Sequence, residues 1–161
     1  MRSSKLIFLS DFHLVSKKLF FGLDTFSSLD AVISNILKNH PDGEYFIIGG
    51  DLLEDLSRES SVFLQKQISR LRGHKFFIRG NHDSDDDLYD ELTKNSLNSF
   101  SIFNWEIRAL ETYSKGNIYG EVSSQDFDSL YNDIKSSEDK NFIVYTHHNL
   151  TLTNAPWIDL Y

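Results

Sequence analysis

Four short pieces of the chain carry side chains that could hold metal ions: Asp11-Phe12-His13, Gly50-Asp51, Gly80-Asn81-His82-Asp83 and His147-His148. Asp11 and His13 are two apart, so on an extended segment they point to the same side and can share one ion. Asp51 follows Gly49 and Gly50, and glycine lets the backbone turn sharply and leaves room beside a ligand. A carboxylate there can bridge two ions, one oxygen to each. Asn81 offers an amide oxygen, and His147 an imidazole, to the second ion. Mixed oxygen and nitrogen donors suit Mn, Fe or Zn better than Ca or Mg. Two such ions about 3.5–4 Å apart hold and deprotonate a water, orient a phosphoryl group and stabilise its charge. The expected chemistry is hydrolysis of a phosphate ester by in-line attack of a metal-held hydroxide. On an extended segment His82 faces away from Asn81. It suits proton donation to the leaving oxygen, or a cationic role beside the phosphate, better than ligation. Asp83 could fix its tautomer.

The elements that must position these groups are legible as apolar runs. Leu6–Leu9, Tyr45–Ile48, Lys75–Ile78 and Phe142–Tyr145 read as short strands buried on both faces. Between the first two, Asp24 reads as an N-cap, and Phe26, Leu29, Val32, Ile33, Ile36 and Leu37 recur at helical spacing until His40-Pro41-Asp42-Gly43. Val62, Phe63, Ile68 and Leu71 mark a second helix closed by Gly73. Strand–helix–strand–helix–strand implies a parallel sheet with right-handed crossovers. Further on, Leu88–Leu97 reads as helix and Ile102-Phe103 and Trp105–Leu110 as strands. Ser123–Asp126 reads as a capping box before a helix carrying Phe127, Leu130, Tyr131 and Ile134. The run Asp85-Asp86-Asp87 reads as a solvated helix N-terminus. Open α/β sheets bind ligands outside the carboxyl ends of their strands. Asp11, His13, Asp51, Asn81 and His147 all fall there. His40 and His74 lead into strands, which puts them at the opposite edge.

The 161 residues make one domain, 1–161, or most of one, and 40% hydrophobic residues suffice for a core. The formal charge of −8 argues against stable binding of nucleic acid or an anionic membrane surface. No cysteine is present, so thiolate sites and disulfides are excluded. No stretch approaches the roughly 20 apolar residues of a membrane span, and the run after Lys5 is too short for a signal peptide. A soluble cytoplasmic protein acting on a small phosphoester is the expectation, and the chain is compatible with a homo-oligomer.

The set Asp-x-His, Gly-Asp, Gly-Asn-His-Asp and His resembles the calcineurin-like metallophosphoesterase family. It is present as Asp11/His13, Gly50-Asp51, Gly80–Asp83 and His147. Three flanking segments resemble the narrower group of bacterial class III 3',5'-cyclic-AMP phosphodiesterases. They are Gly22–Val32, Gly120-Glu121-Val122, and His147-His148-Asn149-Leu150 with Trp157-Ile158-Asp159. The resemblance implies an α/β sandwich of two mixed β-sheets flanked by helices. It implies two divalent or trivalent metal ions, with Asp11, His13 and Asp51 on the first and Asp51, Asn81 and His147 on the second. Asn81 and His82 would contact substrate, and His82, with Asp83, would serve catalysis. A cyclic nucleotide, cyclic AMP first, is the implied substrate.

The family's Gly-His-x-His motif is absent from these residues, and Asn149 stands where relatives carry proline. The expectation is therefore a domain incomplete at its C-terminal end. Two alternatives accompany the phosphodiesterase reading: a catalytically impaired remnant of the fold, and a nucleotide pyrophosphatase or phosphomonoesterase using the same site.

Overall fold

The computed structural model describes residues 3–55, 57–94, 96, 99–156 and 158–159. Its first three strands, β1 (Leu6–Leu9), β2 (Tyr45–Ile48) and β3 (His74–Phe77), form a parallel sheet in the order β1-β2-β3. The crossovers are α1 (Thr25–Asn39) and α2 (Arg58–Arg70). Each helix starts where a side chain satisfies an orphan amide: Asp24 accepts from the Ser27 N–H and Ser57 from the Ser60 N–H. Beyond α3 (Asp86–Thr93), the strands β4 (Ser99–Ile102), β5 (Trp105–Ala109) and β6 (Asn141–Tyr145) form a second sheet. Here β4 pairs antiparallel and β6 parallel to β5, with α4 (Ser124–Ser136) between β5 and β6. The mixed pairing expected of both sheets thus belongs to the second. The first is parallel throughout its described strands.

The period-2 alternation of strands sorts the core into two layers. Phe46, Ile48 and Phe77 face α1 and α2, where they meet Leu29, Ile33, Leu64 and Ile68. Ile47, Phe76 and Ile78 face the second sheet and meet Ile107 and Tyr145. The Phe76 and Phe100 rings stack between the sheets, and Tyr45 stacks on Phe100 at 5.4 Å. The architecture is helices on one sheet, then a second sheet behind it.

Two expectations need correction. β1 is an edge strand of the described sheet, so Phe8 is half exposed rather than buried on both faces. α3 stops at Thr93, short of the expected Leu97, and Leu97 lies outside the described residues. The capping box holds: Ser123 accepts from the Asp126 N–H at the start of α4. That helix buries none of its residues. Phe127, Tyr131 and Ile134 stand exposed, and Asp133 pairs with Arg108 of β5 at 2.7 Å.

Candidate metal centre

The loops that leave β1 and β2 are zipped together beyond the sheet. The amides of Asp11, His13 and Leu14 donate to the carbonyls of Gly50, Asp51 and Leu52 at 3.0, 3.0 and 3.1 Å. Asp55 ties the same loop to the start of α2, accepting from the Ser16 N–H at 2.8 Å and the Ser57 hydroxyl at 2.9 Å. Burial alone would push its carboxyl up, but the hydrogen bonds from Ser60, Ser16 and Ser57 bring it down to about 2.

Three residues here hold left-handed backbone: Asp11 at φ 57°, His13 at φ 40° and Asp51 at φ 52°. The segment from Asp11 to His13 is therefore not extended, and alternation along a strand is not what brings its two side chains together. Such conformations cost about 1–3 kcal/mol each and cluster at functional sites. Glycine is required where the third loop meets the second. A Cβ on Gly80 would lie 2.1 Å from Asp51 Oδ1 and 2.4 Å from its amide nitrogen.

Asp51, 5% exposed, is the centre of the arrangement. One carboxylate oxygen lies 3.4 Å from His147 Nε2 and the other 3.5 Å from His13 Nε2. Asp11 Oδ1 is 3.9 Å from His13 Nε2. Donor atoms of Asp11, Asp51 and His147, and separately of His13, Asp51 and His82, fall within 4.8 Å of one another. Asp51 belongs to both groups, as a bridging carboxylate should. Asp11 keeps its expected place beside His13, and His82, expected to stay off the ions, comes within reach of His13 and Asp51. Asn81 stands in the turn between Gly80 and His82, and the His82 amide donates to Asp51 Oδ1 at 3.0 Å.

Each imidazole is oriented through its other nitrogen, as at metal sites generally. His147 donates from Nδ1 to the Gly49 carbonyl at 2.7 Å, and His13 donates from Nδ1 to Glu54 at 3.0 Å. The same Glu54 oxygen lies 3.0 Å from His82 Nδ1. Sequence reading missed Glu54. It is one acidic residue among 24, with no periodicity or motif to single it out.

Asp83 does not act on His82, contrary to expectation. Its carboxylate is buried and accepts three backbone N–H groups, from Asp51 at 2.9 Å, Leu52 at 2.8 Å and Gly80 at 3.0 Å. Burial pushes its carboxyl above the ordinary range despite those bonds. Its work is to staple two loops together. His148 turns away from the centre, hydrogen-bonding Thr112 at 2.8 Å. His40 ends α1, and His74 opens β3 and stacks on Tyr45, so both lie at the other edge of the sheet. Asp159 closes a local turn with Thr153, and Trp157 lies outside the described residues.

Residues 4–159 match the calcineurin-like phosphoesterase family. The chain belongs to that family. This calcineurin-like phosphoesterase domain is 24% identical to a 3',5'-cyclic adenosine monophosphate phosphodiesterase of Vibrio vulnificus, over 98% of this chain and 60% of the relative. It is 25% identical to a probable cyclic nucleotide phosphodiesterase of Ruthia magnifica, over 99% of this chain and 67% of the relative. A 3',5'-cyclic-nucleotide phosphodiesterase of Nostoc is 26% identical over 86% of this chain and 53% of the relative. The chain thus spans about three fifths of the length of such relatives. Membership implies metal ions at the cluster of donors described above. No helix among the described residues is long and apolar enough to cross a membrane.

The donor set fits such ions: three imidazoles and two carboxylates converge, and Nδ1 of each imidazole already has a partner. Burial depresses His147, but its contact with Asp51, the Gly49 carbonyl and the charge of Asp11 raise it to about 9. For Asp51 burial acts upward, and His147 and the His82 amide more than reverse it, leaving the carboxyl lowered. In the ion-free protein the His147 shift stabilises the fold fully below its unfolded value near 6.5. That gain is lost as pH rises through 9. A metal ligand must be neutral imidazole, so ion binding at neutral pH should expel this proton. Calorimetry with Mn in buffers of different ionisation enthalpy should show about one proton released near pH 7.5. Affinity should climb up to pH 9 and flatten above it. Binding without proton release would place His147 outside the ion site.

Proposed function

We propose that the chain is a metal-dependent phosphodiesterase domain, residues 1–161, that hydrolyses a cyclic nucleotide, with 3',5'-cyclic AMP as the first candidate. The observation that carries this reading is the buried Asp51 carboxylate with an imidazole Nε2 on each oxygen. In this reading Asp11, His13 and Asp51 hold one ion and Asp51, Asn81 and His147 the other. Asp11, at the outer edge of the cluster, leaves its ion open toward solvent and substrate. Two ions, Mn, Fe or Zn, supply water activation and neutralise phosphoryl charge when bound.

The protein's own groups do the rest. Glu54 lies against Nδ1 of His82, so a protonated His82 would carry its second proton on Nε2, from which it could pass to the leaving oxygen. Asn81 and His82 share the turn whose His82 amide binds Asp51, and in this reading both contact the substrate. Asp83 fixes the two ligand loops and never meets the substrate. A cytoplasmic setting, a small-molecule substrate and no stable nucleic-acid or membrane partner belong to the same proposal, in keeping with a formal charge of −8.

The relatives' names supply the cyclic-nucleotide class, and the flanking segments Gly22–Val32 and Gly120–Val122 lean the same way. The test is a comparison of initial rates for purified protein loaded with Mn, Fe or Zn on cyclic AMP, p-nitrophenyl phosphate and a nucleoside diphosphate. Cyclic AMP should be hydrolysed fastest. Faster release from the monoester or the diphosphate would move the protein to one of those activities. No hydrolysis of any diester would overturn the proposal.

A further inference from the structure

A cavity of about 350 Å3 opens beside the metal centre, lined by Asp11 and His13 and by the apolar side chains of Phe20, Phe21, Leu23 and Val32. Its aromatic lining comes from a two-residue hairpin. Phe20 and Leu23 exchange both backbone hydrogen bonds at 2.9 Å, with Phe21 at φ 48° and Gly22 at φ 83° between them. Turns of this kind take Asn, Asp or Gly at the first central position, because a side chain there is strained. Here that position holds phenylalanine, and its ring is 92% exposed. Neither packing nor turn preference accounts for it. The rings form a relay back to the ions: Phe21 meets Phe20 edge-on at 4.7 Å, and Phe20 stacks on His13 at 4.9 Å with planes 17° apart.

We propose that the Phe20–Phe21 turn and the cavity beside it form the subsite for the planar base of a nucleotide substrate. The inference rests on the phosphodiesterase reading and assigns that substrate's other half. A phosphoryl group must sit on the ions. The Asp11 carboxylate in the cavity's lining disfavours a second anion there. What remains is an apolar slot open along one wall, of the size that takes a small planar molecule. An exposed phenylalanine at its lip offers a face to stack on. Stacking is tolerant of which base is bound, so the slot selects an aromatic base over a plain alkyl ester rather than adenine over guanine. Val32 of α1 is exposed and lines this slot.

The test uses adenosine, which carries no phosphate, and the metal-free chain, so it reads the slot alone. Saturation-transfer NMR should show contact at the adenine H2 and H8 protons, and ribose should show none. Phe21→Ala should weaken adenosine binding by about tenfold, and Phe21→Trp should restore it. Phe21 is 92% exposed, so these variants should melt with the parent; circular dichroism checks this. If adenosine fails to bind the parent chain, or binds Phe21→Ala equally well, the subsite is wrong. A chain that hydrolyses diesters yet ignores adenosine would overturn this inference alone. A chain that binds adenosine through Phe21 but hydrolyses nothing would overturn the proposed activity alone.

Discussion

Asp51→Asn should abolish metal binding at the proposed two-ion centre. The substitution keeps the size and one acceptor oxygen, and the His82 amide can still donate to it. It removes the charge and turns one ligand atom into an N–H2 that cannot coordinate. Because His13 approaches one oxygen of Asp51 and His147 the other, neither donor group survives whole. Loss of a group that merely orients a metal ligand costs about 10–100-fold in affinity. Loss of the shared ligand itself should exceed ~100-fold at each position. Equilibrium dialysis with Mn followed by metal analysis reads this directly, and metal-dependent hydrolysis should fall to background. A variant that retains two ions at the parent's affinity would remove Asp51 from the centre of the site.

Asp83→Ala should be the most destabilising single change near the site. It orphans three buried backbone donors at once, those of Asp51, Leu52 and Gly80. Each unsatisfied donor costs about 1–3 kcal/mol. Water entering the vacated space relieves part of that, so the net loss should be about 3–5 kcal/mol. Asp83→Asn is the finer probe. Its single oxygen can accept only some of the three, and its amide opposes the remainder, for about 2 kcal/mol. Urea titration of the ion-free protein gives both values. A loss below about 1 kcal/mol for Asp83→Ala would mean that the loops hold without the carboxylate. Glu54→Ala makes the contrast, since the Glu54 carboxylate meets only His13 and His82, which lie partly in solvent.

The strands and the ends they point to were readable because each is a continuous apolar run that stops at a polar residue. The ligand-bearing loops follow from that alone. Topology sorted the histidines the same way. His40 and His74 precede strands and sit at the far edge, whereas His13 and His147 follow them. Spacing could not show what the loops do after leaving the sheet. Asp11 and His13 adopt left-handed backbone rather than strand alternation, and only the hydrogen bonds to the Gly50–Leu52 carbonyls impose that. Asp83 lies next to His82 in sequence and so looked like its partner. Two amides from the Gly50–Leu52 loop and one from its own turn claim it instead, while Glu54 reaches His82 from the neighbouring loop. Burial on both faces was inferred for β1 from its composition, but composition carries no information about which strand ends the sheet.

The His147 side chain has a mechanical meaning as well as a chemical one. It leaves the end of β6, in one sheet, and reaches Gly49 and Asp51, at the end of β2 in the other. Ions seated between Asp51 and His147 would therefore rivet two layers that the His147–Gly49 hydrogen bond already ties at this rim. Loading the centre should then slow hydrogen exchange in β2 and β6 together. The melting temperature of the domain would become a gauge of how much free metal surrounds it.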